Sequence, residues 1–450
     1  MIYERLAYPL ALTLAGIYLS ISRAQPAAQD GETLQPAVRS AVRAPEPAPV
    51  ASNALDNPPV DDATRKLTAA APKQVRTPIQ YYGTLMLFAD YLHQDQAGDR
   101  GRLSAGTTGI GIRGTLDSGY GVAAIYQVEL GIALDENGVG PSPSSVFPLR
   151  NTALGAEGAF GSVRFGSWDT PLKQQILDIG PVRGLNPFDN PLLLNAGHGA
   201  PVTVTEGGYT GTILDAAFVR RQGNLVQYWS PAVHGLSARL GYAFNESMTT
   251  VEGARVSPHL LSLALRYEVG PLSLRYGYEL HRDYFGLSQL ASAAGVPSTP
   301  SPANPHATDQ AHLLVLSLRL EQTRLAAATE YTFFANEDNS EGALDHYGRL
   351  LFQLYAEQNF GPHKLFAEFA SADSGTCTLV SRTNCSTDGM GALSWTFGYA
   401  FALTESASWY AAYHAIHNGK NARYATFPPV GAVQTGEDHH SVGIGCILYL

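Results

Sequence analysis

The sequence predicts an all-β chain: a transmembrane antiparallel β-barrel of about sixteen strands. Three observations predict it. Segments of about ten residues alternate apolar and polar side chains. The composition is rich in Gly (45) and Tyr (23) but poor in Met (4) and Cys (3). The links between segments alternate short and long along the chain.

The alternation is clearest in LVLSLRL at 314–320, LSLALRYEV at 261–269 and LSLRYGYEL at 272–280. One face of each carries Leu, Tyr and Val, and the other carries Ser, Arg, Gly and Glu. A period of two sends these sets to opposite sides of a strand. Period alone does not separate a soluble sandwich from a barrel in lipid, but the links do. Short turns fall at 117–119, 157–161, 231–235, 269–271, 321–323, 360–363 and 404–406. Long polar links fall around 93–107, 135–149, 173–219, 245–258, 283–310, 335–346, 373–391 and 418–438. Turns at one rim and loops at the other describe a barrel with short periplasmic turns and long extracellular loops. A sandwich has no reason to sort its links by parity. Aromatic residues near the strand ends, including Tyr228, Tyr242, Tyr267, Tyr276, Tyr331, Phe333, Trp395, Phe401, Trp409 and Tyr413, suit a headgroup-level belt.

Charged residues make up only 15% of the chain and the mean hydropathy is −0.07. A helical membrane protein would have a clearly positive mean. The formal net charge of −10 disfavours nucleic acid, whose phosphates need a basic surface. Before the strands, residues 1–24 read as a signal peptide: Arg5, an uncharged run at 6–21, then small residues flanking Arg23. Residues 25–78 are rich in Ala and Pro with no sustained apolar period, which predicts a disordered periplasmic tether. The barrel is predicted over 79–450. Cys377 and Cys385, close together in a polar stretch, are a candidate disulfide in an oxidising compartment. Cys446 stands alone in a strand pattern. A GxGxxG match at 109–114 lacks the preceding strand and following helix that a dinucleotide site needs. His439 and His440 are adjacent on a strand and therefore point to opposite faces. No cofactor or metal site is predicted.

Several runs resemble Gram-negative trimeric porins, especially the beta-proteobacterial and neisserial type. They are GIGIRGTLDSGYGVAAIYQVELG at 109–131, FGSVRFGSWDTP at 160–171 and NLVQYWSP at 224–231. The resemblance extends in layout over 79–450 but is motif-level only in the first third. It implies a homotrimer of sixteen-stranded barrels set in outer-membrane lipid and lipopolysaccharide. It also implies a third loop, about 172–218, folded into the lumen. Three departures stand out. NPFDNPLLL at 186–194 offers only Asp189 where the family carries an acidic motif. The chain ends in Leu450 where the family ends in Phe, and the tether is long.

Parity points Arg113, Arg164, Gln127, Glu129, Arg239, Arg266, Arg275 and Arg319 into the lumen, with Gln227, Glu330 and Glu368. Fixed charges in a narrow watery passage set ion selectivity. Arg113 and Arg164 lie on the strands that, by the resemblance, form a basic constriction wall opposite Asp189. The resulting expectation is a non-enzymatic water-filled channel for passive diffusion of small hydrophilic solutes and ions. A substrate-selective channel, a structural or adhesive barrel and a barrel enzyme are the alternatives. The arginine-rich inward set leans towards anions, and the acidic loops pull the other way.

Overall fold

In the computed structural model the described residues are 75–76, 79–132, 134, 149–177, 179–180, 188, 203–206, 209–212, 218–244, 249–251, 254–284, 306–337, 344–380, 386–426 and 434–450. The segment expected to be a signal peptide, most of the expected tether, Asp189 and Cys385 lie outside them.

Strands β1 (Val75–Arg76) and β2 (Gln80–Gln94) run in line, as do β3 (Gly98–Ser104) and β4 (Gly109–Asp117). Val75 already pairs with Asp117, so the sheet begins four residues before the predicted boundary at 79. Strands β5 (Val122–Gly131), β6 (Thr152–Gly158) and β7 (Gly161–Asp169) continue the meander. A 3-10 turn at Lys173–Gln175 opens the third long link, which also carries a separate hairpin of β8 (Thr203–Glu206) and β9 (Tyr209–Thr212). The wall resumes with β10 (Arg221–Trp229), paired back onto β7, and β11 (Leu236–Ala243). A loop hairpin, β12 (Thr249–Val251) and β13 (Ala254–Val256), follows.

The remaining wall consists of β14 (His259–Val269), β15 (Leu272–Arg282), β16 (Ala307–Arg319), β17 (Thr323–Asn336) and β18 (Leu344–Phe360). Then come β19 (His363–Ala372), β20 (Thr376–Leu379), β21 (Ala392–Thr404), β22 (Ala407–Asn418) and β23 (His439–Tyr449). All pairings are antiparallel. The sheet closes where β23 pairs with β2, from Thr84↔Tyr449 to Gln94↔His439. Its 19 segments form sixteen wall strands, because β1–β2, β3–β4 and β19–β20 are each one strand interrupted. Closure leaves no unpaired edge, as lipid demands of a spanning sheet. Leu450 takes part: its backbone N–H donates to the Gly83 carbonyl at 3.0 Å.

The predicted parity holds, with one difference on the inner face. In β16, Leu314 and Leu316 face outward and are each 46% exposed. Their neighbours Leu313 and Val315 face inward and are 0% exposed. The predicted inner face was polar; here part of it is apolar and dry. The reason is the third link, whose Leu172, Ile176, Ile179, Phe188, Phe218 and Val219 join one hydrophobic cluster with Leu313, Val315, Ala326, Ala328 and Leu351. His439 is buried inside the wall, and His440 stacks outside on Tyr413.

Candidate pore constriction

The third link is pinned across the lumen at three places. Leu172 N–H donates to Ser262 Oγ on β14 at 3.0 Å. Arg275 on β15 donates to the Gln175 carbonyl at 3.1 Å. Thr396 on β21 donates to the Phe188 carbonyl at 2.8 Å, and the Phe188 ring meets Phe88 of β2 edge-on at 5.7 Å. The link therefore reaches from β7 past β14 and β15 to β21 and β2.

Among the described residues, open space runs along β2 and β4 to β7, as two cavities of about 490 and 320 Å³ that share Arg113, Gln127 and Trp168. Among the described residues, the charged groups lining them are five basic side chains (Arg113, Arg150, Arg164, Lys173 and Arg221) and three carboxylates (Glu129, Glu157 and Asp169).

The larger cavity is built around two carboxylates. Glu129 on β5 accepts from Arg150 Nε at 2.6 Å and from Tyr82 Oη at 3.1 Å. Gly111 stands between Tyr82 and Glu129 in register, and a Cβ there would lie 2.6 Å from the Tyr82 ring. The missing side chain lets the ring lie across β4 and reach Glu129. Asp169 ends β7, 2.8 Å from Lys173 Nζ and 3.4 Å from Arg221. Asn151 Nδ2 donates to the second Asp169 oxygen at 2.9 Å. Burial holds the Lys173 ammonium below its ordinary value, against the pull of Asp169. Asp169 thus faces two basic side chains, Lys173 and Arg221.

The smaller cavity lies towards the short-turn rim. Here Arg164 sits between two indoles, 3.8 Å from the Trp229 ring centre and 4.9 Å from that of Trp168. Arg239 faces Trp229 at 4.2 Å and hydrogen-bonds Gln174 of the third link. Arg113 lies 5.0 Å above Tyr82 and donates to Gln80 at 3.1 Å. The β6–β7 turn needs Gly161, with φ of 103°, because a Cβ would collide with the Trp229 carbonyl.

The residues singled out from sequence fall into three groups. Arg113, Arg164, Gln127 and Glu129 line the open passage. Arg239 and Arg275 hold the third link. Arg266 lies 3.6 Å from Glu268, and Arg319 is the exposed last residue of β16, so neither joins the cluster. Asp189 lies outside the described residues. Sequence reasoning missed Arg150, Asp169, Lys173 and Arg221. All four lie at or just beyond a strand end, where period two no longer assigns a face. Gln127 donates to the Asn151 carbonyl at 2.9 Å. Cys377 is disulfide-bonded and Cys446 is free; Cys385 is outside the described residues.

A closed sixteen-stranded barrel with a loop folded across its lumen, leaving a charged passage, defines a porin-type outer-membrane barrel. The chain belongs to the Gram-negative porin family, whose model matches residues 67–421. "Outer membrane porin protein 32" of Delftia acidovorans is 29% identical over 217 residues, 47% of this chain and 56% of that one. The match thus spans just over half the length of that curated relative. Among solved structures, an anion-selective porin from Comamonas acidovorans aligns with a TM-score of 0.63 at 21% identity, covering 84% of this chain and 100% of that one. The trimer form of OmpT of Vibrio cholerae aligns at 0.56 and 14% identity, covering 84% of this chain and 100% of that one.

Proposed function

We propose that the protein is a water-filled, anion-preferring channel for passive diffusion of small hydrophilic solutes and ions. The observation that carries this is the lining of the open passage, five cations against three carboxylates. Low-dielectric walls focus that excess onto whatever crosses. The acidic balance of the whole chain does not oppose it, because charges beyond a Debye length of about 8–10 Å are screened. The resemblance to an anion-selective porin supports the same sign. In this reading the chain catalyses no reaction and needs no cofactor. Reversal potentials in a KCl gradient across planar bilayers test it. A positive anion preference is expected, and a cation-selective potential would overturn it.

We also propose a homotrimer joined through the β5–β7 wall. Strand β6 has only seven residues, which at about 3.3 Å each and a tilt near 40° spans about 18 Å. That falls short of the ~25 Å apolar band that lipid requires. Leu154 on β6 and Phe165 on β7 nevertheless point outward and are strongly exposed. A second copy covers such a wall better than lipid does. Elsewhere, outward leucines and aromatic residues meet outer-membrane lipid and lipopolysaccharide. Replacing Leu154 and Phe165 with Asp is expected to convert trimers to monomers in native mass spectrometry. Unchanged trimers would refute this interface. Cys377 and Cys385 are proposed to form the single disulfide, closing a small external loop.

A further inference from the structure

The five lining cations divide into two kinds, and Lys173, 2.8 Å from Asp169, is of the first. Arg150 and Arg221 reach Glu129 and Asp169. Arg113 and Arg164 have no carboxylate within ion-pair distance among the described residues, and both line the smaller cavity. Each is instead laid against aromatic rings: Arg113 over Tyr82, and Arg164 between Trp168 and Trp229. Arg164 Nε is buried and has no hydrogen-bond partner among the described residues. The two indoles meet edge to face, with ring centres 5.9 Å apart at 74°, and Tyr126 also lines the space.

Passing an inorganic anion requires only positive charge. Rings beside the cations add nothing to that field. Guanidiniums cover faces of both indoles, so what the rings offer a solute is their edges, within reach of two guanidinium forks. A planar aromatic carboxylate uses both features at once: the forks take its oxygens, and the indoles take its ring. An aliphatic carboxylate uses only the first. Glu157 lines the same cavity and disfavours a second negative charge on the solute. A volume of about 320 Å³ lies at the small end of the range for small-molecule sites and suits a single-ring solute.

We infer that this cavity, where Arg113 and Arg164 meet Trp168 and Trp229, is a subsite on the permeation path for aromatic monocarboxylates. It rests on the reading of the protein as an anion-preferring channel, and it names the solute class that would be retained there.

The test uses the full-length protein in detergent and in planar bilayers, with benzoate, cyclohexanecarboxylate and acetate as probes. Tryptophan fluorescence reads binding without conduction, and interruptions of the chloride current read it during conduction. Benzoate is expected to bind roughly fivefold more tightly than cyclohexanecarboxylate, the usual gain from an aromatic pair, edge-to-face included. It should exceed acetate by more. Trp229→Leu and Trp168→Leu should each bring the benzoate-to-cyclohexanecarboxylate ratio close to one, while Trp229→Phe keeps it. Trp409→Leu, on the outer wall, should leave the ratio unchanged. Equal binding of the two ring acids, or a preference that survives both Leu variants, would overturn the inference. The two failures are separable. Anion selectivity without benzoate preference removes the subsite and keeps the channel reading. Benzoate preference in a cation-selective pore does the reverse.

Discussion

The two sides of the lumen are made from the same strand pattern and have opposite characters. On the β2 and β4–β7 side, inward residues include the charged groups that line the open space. On the β14–β23 side, inward residues are buried against the third link. That side holds Leu313, Val315, Ala328 and Leu351, and it also buries Glu279, Glu330 and Glu368. Two of its polar pairs meet there: Glu279 lies 2.9 Å from His281, and Gln353 donates to Glu368 at 2.6 Å. One side supplies the passage, and the other supplies the anchor for the loop that narrows it. An inward-facing charge is therefore no guide to permeation unless the loop leaves it uncovered.

The strongest way to break this contrast is to unpack the anchored side. Phe188→Ala removes a buried ring that touches Phe88, and should cost about 3–5 kcal/mol of local packing. Its effect should appear as a larger single-channel conductance with more gating noise. An unchanged conductance would mean that the loop is held elsewhere. A more targeted change alters the open side alone. Arg113→Glu makes the lining four cations against four carboxylates. The anion-over-cation permeability ratio should fall on the order of fivefold, with thermal stability little changed. Reversal potentials check the first part and melting of the detergent-solubilised barrel the second.

The smallest expected effect lies at the long-loop rim and serves as a control outside both sides. Glu437 accepts backbone N–H groups from Gln96 at 3.2 Å, Ala97 at 2.8 Å and Gln434 at 2.9 Å, tying the link before β23 to the β2–β3 turn. Burial works to raise its carboxyl, and these hydrogen bonds outweigh it, so the group sits below its ordinary value. A lowered carboxyl stabilises the folded loop fully above the ordinary value of 4.5 and loses that contribution as pH falls through the lower folded value. Protease protection of this loop should therefore weaken in acid, and Glu437→Gln should show the weakened protection already at neutral pH. Equal protection of the two proteins at neutral pH would count against the tie.

Much of the barrel was legible in the sequence because its signals are local. Alternation in 261–269, 272–280 and 314–320 gives face and direction residue by residue, and turn residues mark the short rim. Arg113, Arg164, Gln127 and Glu129 were found because each sits mid-strand, where period two decides its side. Arg150 and Lys173 were not, because they lie outside the strands. Asp169 and Arg221 occupy strand ends next to long links. The roles of Arg239 and Arg275 were also hidden. Both point inward as predicted, but their partners Gln174 and Gln175 come from a loop whose path has no local period.

The sequence by itself determined a closed barrel, its strand number and which residues face inward, because backbone hydrogen bonding in lipid leaves few alternatives to that pattern. Only the tertiary structure decided which inward residues remain wet. That depends on where Leu172, Phe188 and Phe218 come to rest against distant strands, and burial between segments hundreds of residues apart follows from packing rather than from any local pattern.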